Sequence, residues 1–292
     1  VKPTIELFAP AASSVMTCPV AGFGIVRAGA EQIASLRRNP VPPPGKPLAV
    51  GLLKHADDQT VVGISAVYRA LHNHHLAGVD FTNWGVVAAP SFLGRAMLIQ
   101  TLKRFGLEGA WGVSPHLIPH HSVHAVSGTI SQALRIVGPN FGIGGGPGAV
   151  VEAVTVAATL MADRNLPGLW LVLTEYEPEF VPQHPDGPSV NGHHTDPCAV
   201  ALALALVPAA AASMGISLRV CPHEPFPDLD ADQWMSWPPL NTVSALAAAF
   251  SQNHASHGNW RFGLSGWLEL TSLELASAEP MTSTETGVET TR

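Results

Sequence analysis

Apolar residues recur at two different periods along the chain, and the period changes from segment to segment. Over residues 60–75, Val61, Ile64, Val67, Tyr68 and Leu71 fall on one face of a helical repeat. The same spacing predicts helices over 92–105, 122–136 and 242–253, the first with Arg95, Lys103 and Arg104 on its wet side. Residues 149–163 are apolar almost all round, through Val150, Val151, Val154, Ala158, Leu160 and Met161, which predicts a helix at the centre of the molecule. Short apolar runs predict buried strands at 84–89, 169–174 and 198–207, a very short one at 141–143, and an edge strand at 218–221. Two aromatic strands are expected at 260–264 and 267–270, and a β-like segment at 4–8 followed by Gly-rich turns up to residue 35. Helices alternating with buried strands imply an α/β protein with a layered sheet.

Breaks in the pattern mark the organisation. RNPVPPPGKP at 38–47 reads as an extended polyproline linker. Polar, Pro-rich loops follow at 177–195 and 222–239, and the polar tail 276–292 lacks the apolar residues to fold. The expected division is an N-terminal segment and linker over 1–47, a domain over 48–275 and a disordered tail over 276–292.

Composition narrows the function classes. The 292 residues are 46% hydrophobic and only 13% charged, which suggests much buried surface and a subunit seam among it. A net charge of −7, with no run of lysines or arginines, argues against nucleic acid and anionic membranes. The three cysteines, Cys18, Cys198 and Cys221, are too widely spaced for a disulfide framework or a zinc knuckle, so a reduced, cytoplasmic protein is expected. The start has no secretory-signal pattern, and no apolar run is long enough to span a bilayer.

The chemistry concentrates on GPNFGIGGGPGAVVEA at 138–153. Gly144-x-Gly146-x-x-Ala149 satisfies a dinucleotide fingerprint, but the strand before it is very short and the next acidic strand end, Glu175, comes late. A Walker loop is excluded because no Gly-Lys-Ser/Thr follows. A short strand turning sharply into a buried helix is instead a way to present a nucleophile at a helix N-terminus, where the helix dipole lowers a thiol pKa.

The segment before it, VSPHLIPHHSVHAVSGTISQALRIVGPN at 113–140, resembles the β-ketoacyl synthase family of the thiolase fold. There a VSP…IP word leads into a helix, then Gly-Pro, then the strand and elbow that carry the active cysteine. The order of elements agrees over roughly residues 50–207. The resemblance implies a thiolase-like layered α/β/α mixed sheet, a single half of the duplicated ketosynthase fold. Counted from Gly138-Pro139, the cysteine's place falls on Pro147, with Gly146, Gly148 and Ala149 beside it, and none of these can form a thioester. The family's two histidine words are also missing, and His257-Gly258-Asn259 is only a superficial echo.

That combination is similar to short, chain-length-factor-like members that lack the active cysteine. The resemblance therefore implies a non-catalytic subunit pairing with an active ketosynthase as a heterodimer, and through it with acyl carrier protein. Its pathway would be polyketide, aryl-polyene or fatty-acyl chain elongation. No cofactor and no metal are implied. Phe141, Gly142, Ile143, Val150, Val151 and Val154 become the candidates for the acyl tunnel or the subunit seam. The alternative is an independent acyl-thioester transferase or decarboxylase using His120, His124 or Glu175.

The 14 histidines invite a metal reading. His120 and His124 share a helical face, with His116 and His121 nearby, but no Glu or Cys completes a local site. His193, His194 and Asp196 with His184 form a second, weaker set. His72, His74 and His75 suit the last carbonyls of a helix and are expected on the surface. Ser127 and Ser189 lack the G-x-S-x-G context of a hydrolase, Cys198 and Cys221 read as core thiols, and Glu175 and Glu177 as a solvated strand-end pair.

Overall fold

The computed structural model describes residues 15–43, 45, 48–49, 51–115, 117–144, 146, 148–163, 166–177, 179, 198–211, 216–222, 230–251, 258–262 and 266–272. In chain order the elements are β1 (Met16–Ala28), α1 (Ala30–Arg38), α2 (Asp58–Asn73), β2 (Gly85–Pro90), α3 (Arg95–Glu108), α4 (Leu117–His121) and α5 (Ala125–Leu134). Then come β3 (Asn140–Gly142), α6 (Ala149–Asp163), β4 (Leu169–Glu177), β5 (Cys198–Leu206), β6 (Ile216–Cys221), α7 (Ala231–Ser236), α8 (Val243–Ser251), β7 (Gly258–Arg261) and β8 (Trp267–Ser272).

One mixed sheet of eight strands runs β3-β2-β4-β5-β1-β6-β8-β7. β2 is parallel to β3 and β4, whereas β5 is antiparallel to both its neighbours, β4 and β1. The sequence of β5, CAVALALAL, shows how the layers arise. Its alanines 199, 201, 203 and 205 face one core, with α2 and α5; Val200 and the leucines 202, 204 and 206 face the other, with α6 and α8. Each fully buried leucine contributes about 1.5–3 kcal/mol. The alanine face lets α2 come close: a β-carbon on Gly24 of β1 would meet Ala66 O and stand 2.7 Å from Ala70 N. Helices on both faces of the sheet make the layered α/β sheet that the pattern predicts and the α/β/α arrangement that the resemblance implies.

Several details differ from the expectation. The Gly-rich turns expected up to residue 35 are, from Met16 on, a 13-residue strand inside the sheet, followed by α1. β6 is not an edge, because β8 pairs along its outer side. α7 lies within the expected loop 222–239. The expected strand at 4–8 and the tail at 276–292 lie outside the described residues.

Parallel strands β2, β3 and β4 all end at one rim of the sheet. In open α/β sheets that rim is where ligands bind, at the point where neighbouring connections leave to opposite faces. Here α5 precedes β3 on one face and α6 follows it on the other.

Candidate functional site

At this rim, β3 enters a tight turn into α6. Three glycines make the geometry. A β-carbon on Gly138 would stand 3.0 Å from Trp84 C, and one on Gly142 would stand 2.7 Å from the His124 Cα, so chain segments touch backbone to backbone. Gly144 has φ +93°, a conformation that side chains resist, and lies against Ala149. The Ile143 N–H donates to Ala88 O at 2.8 Å, continuing the pairing with β2, and Asn140 Nδ2 donates to Ser131 Oγ on α5. The turn closes as the Ala149 N–H donates to Gly146 O at 3.2 Å and the Glu152 N–H to Gly148 O at 3.0 Å.

The turn is an elbow without a nucleophile. Residues 143–149 read IGGGPGA, and no side chain there carries a thiol, hydroxyl or amine. Pro147 itself lies outside the described residues. The cysteines are elsewhere. Cys18 is buried in β1, and burial pushes its thiol up to about 12. Cys221 is buried at the end of β6, and Cys198 is partly exposed at the start of β5. Of the predicted wall residues, Phe141 is 43% exposed, whereas Ile143 and Val151 are partly buried against the α6 side of the sheet. Val150 and Val154 are buried within the chain's own core. Among the described residues β3 pairs on one side only, at the end of the sheet.

Beside β3, the excursion between β2 and α5 carries an unusual surface. No side chain described on α3 is buried. Met97, Leu98, Leu102, Phe105, Leu107 and, just beyond the helix, Trp111 are 42% to 99% exposed. Leu98, Leu102 and Phe105 follow a helical stripe. At about 100° per residue Met97 and Leu107 fall on other faces of the helix, so the continuous exposed stripe is Leu98, Leu102 and Phe105. The stripe connects to β3 through packed backbone, since Gly94 lies against His121 and Gly142 against Val123 and His124.

A polar cluster lies behind α3, at the ends of β2 and β4. Asp57 caps α2: its Oδ1 accepts from the Gln59 N–H at 2.9 Å, and its Oδ2 is 3.1 Å from His121 Nδ1. Asp58 Oδ1 pairs with Arg37 Nη2 at 2.6 Å, and the Tyr176 hydroxyl donates to Asp58 Oδ2 at 3.1 Å. Burial, then the Asp58 and Asp57 carboxylates, push the Tyr176 hydroxyl well above its ordinary value, so it remains a donor. Deeper in, Gln59 donates to Ser91 O at 2.8 Å and accepts from the Thr174 hydroxyl at 2.8 Å. Sequence reasoning missed Asp57, Asp58, Arg37 and Tyr176. The one available signal was an Asp immediately before a helical apolar repeat, the mark of an N-cap.

The other candidates are accounted for locally. Glu175 is buried, and its Oε1 accepts from the Ser244 N–H at the start of α8 at 2.7 Å. Glu177 accepts from the Ser244 hydroxyl at 2.7 Å and pairs with Arg27 at 2.6 Å; the serine bond, with the arginine, holds its carboxyl below the usual range. His124 Nδ1 is 3.1 Å from the buried Ser127 Oγ, within one helical turn. His120 lines the cleft behind α3 with His121. His72 and His75 are exposed, but His74 packs its ring 5.0 Å from Phe23. His116, His184, Ser189, His193, His194, Asp196 and His257 lie outside the described residues. Among the described residues no group of three or more His, Cys, Asp and Glu is placed to hold a metal ion.

No family model and no curated protein matches the sequence. Solved structures do match. A structure of a ketosynthase in complex with its chain length factor from Xenorhabdus doucetiae superposes with a TM-score of 0.53 at 11% identity, over 88% of this chain and 99% of that one. A β-ketoacyl synthase from Burkholderia phymatum gives 0.48 at 13% identity over 81% and 69%. A complex of a type II polyketide synthase acyl-carrier protein with its ketosynthase gives 0.47 at 16% identity, and this chain spans 63% of that chain's length. The Xenorhabdus likeness establishes the fold: this chain has the ketosynthase-like, thiolase-type architecture. No helix among the described residues is long and apolar enough to cross a membrane.

Proposed function

We propose that the chain is a non-catalytic, chain-length-factor-like subunit that pairs with a catalytic ketosynthase in polyketide, aryl-polyene or fatty-acyl chain elongation. The observation that carries this reading is the elbow, built with the close contacts of Gly142 and Gly144 yet reading IGGGPGA where a nucleophile would stand. Condensation of acyl thioesters needs a thiolate and donors for the developing oxyanion; the partner supplies both. The match over 88% of this chain to a chain of a ketosynthase and chain length factor complex supports the pairing. So does the stripe of Leu98, Leu102 and Phe105 on α3, three large apolar side chains at least half exposed on one helical face.

In this reading the subunit shapes the tunnel for the growing acyl chain. Phe141, Gly142, Ile143 and Val151 face the seam, with Val150 and Val154 backing them from the core. Pro147 fills the nucleophile's place. Acyl carrier protein docks on the pair, and the assembly works in the cytoplasm. An independent acyl-thioester transferase or decarboxylase draws less support, since Glu175 is spent on the start of α8 and His124 on Ser127.

An elongation assay tests the proposal. The ketosynthase encoded nearest to this chain is supplied with acyl carrier protein and malonyl thioester, with and without the chain. Product formation or product length that requires the chain supports the role. Equal products without it, or turnover of acyl thioesters by the chain alone, would overturn it.

A further inference from the structure

The cleft behind α3 has a volume of about 570 Å³, within the size range of small-molecule sites, and Tyr176 at the carboxyl end of β4 lines it. Its two carboxylates are already engaged. Asp57 is held by the Gln59 N–H and His121, and Asp58 by Arg37 and the Tyr176 hydroxyl. The rest of the lining carries the cations Lys54 and Arg104, the neutral polar side chains of Gln100 and Thr101, and the rings of His55 and His120, 5.9 Å apart. Arg104 also pairs with Glu108 at 3.5 Å, an exposed contact that adds little stability and leaves the guanidinium open to exchange of partners in solvent. Met97 and Ala56 give the cleft an apolar flank.

We propose that this cleft binds a small organic anion, a carboxylate or phosphate head carrying a short apolar tail. The engaged aspartates rigidify the floor, the cationic rim receives the head, and the flank of α3 receives the tail. Nothing in this site depends on the elbow, so it stands independently of the pairing role. It lies on the side of α3 away from the Leu98, Leu102 and Phe105 stripe, because Met97, Thr101 and Arg104 line it.

Calorimetric titration of the purified full chain with octanoate, octyl phosphate, octanol and octylamine tests the site. The expected result is that octanoate or octyl phosphate binds at least tenfold more tightly than octanol and octylamine, and the tighter of the two identifies the head group. Lys54→Glu with Arg104→Glu should weaken that binding at least tenfold with the thermal midpoint unchanged. Leu98→Ser with Leu102→Ser should leave it unaltered. Should the charge-reversed pair lower the midpoint, the milder Lys54→Gln and Arg104→Gln variants give the same reading. Octanol binding as tightly as the anions, or anion binding untouched by the Lys54 and Arg104 variants, would overturn the proposal.

Discussion

Gly142 of β3 lies directly on the backbone of His124: a β-carbon there would stand 2.7 Å from the His124 Cα, and closer still to Val123 O. The obstacle is main chain, which cannot rotate away as a side chain can. Gly142→Ala must therefore push β3 from the start of α5. Overpacking of this kind costs about 1–3 kcal/mol, a fall of roughly 2–4 °C in midpoint per kcal/mol for a chain of this size class. Thermal unfolding checks it, and an unchanged midpoint would mean the elbow is looser than described. Because the elbow is the proposed tunnel wall, the same variant should also alter product length in the paired assay.

Alkaline stability follows from three groups raised by burial, Cys18, Tyr68 and Tyr176. Burial raises Cys18 from 9.0 and Tyr68 from 10.0, each to about 12. A raised folded pKa means the native state holds its proton longer than the unfolded chain does. Stability is then full below about pH 9 and declines as pH rises toward 12, by about 1.4 kcal/mol per pH unit for each group in its window. The Tyr68 hydroxyl is buried with no hydrogen-bond partner among the described residues. Tyr68→Phe should thus be neutral or stabilising at pH 7, and should flatten the decline between pH 10 and 12. Urea midpoints against pH, wild type beside variant, decide this; identical alkaline slopes would contradict it.

Glu175 serves as a cap on α8 rather than as an acid or base. Glu175→Ala leaves the half-buried Ser244 N–H without its 2.7 Å acceptor and should lower stability by about 1 kcal/mol. Product formation by the paired enzyme should be unchanged after correction for folded protein. A loss of turnover without a loss of stability would return Glu175 to the list of reacting groups.

The stripe on α3 should be needed for association and not for folding. Replacing Leu98, Leu102 and Phe105 by serine removes apolar side chains that are each at least half exposed. The variant should keep its folding stability within about 1 kcal/mol, as exposed substitutions do, while co-purification with the ketosynthase is lost. Retained co-purification would place the seam elsewhere.

The long periodic segments were legible in the sequence, because burial alone decides them. α6 falls on the expected residues, Ala149–Asp163, and β5 shows its two faces in the alternation of Ala and Leu. β1 was not legible. Pro19, Gly22 and Gly24 interrupt its pattern, the register shifts between Val20 and Gly22, and Gly24 is there to admit α2. α1 was missed because it buries a single apolar residue, Ile33. β6 looked like an edge because its partner β8 comes dozens of residues later. The cleft was hidden for the same reason. His121 and Asp57 are 64 residues apart, and Tyr176 and Asp58 are 118 apart. The elbow was legible as a word, through its glycines, although Pro147 itself lies outside the described residues.

The most direct measurement is the mass of the complex formed when this chain is co-expressed with the ketosynthase encoded nearest to it, read by native mass spectrometry or light scattering. The pairing role predicts a one-to-one heterodimer that survives purification and carries an acyl thioester only on the ketosynthase. Recovery of the two chains as separate species, or an acyl group attached to this chain, would contradict it.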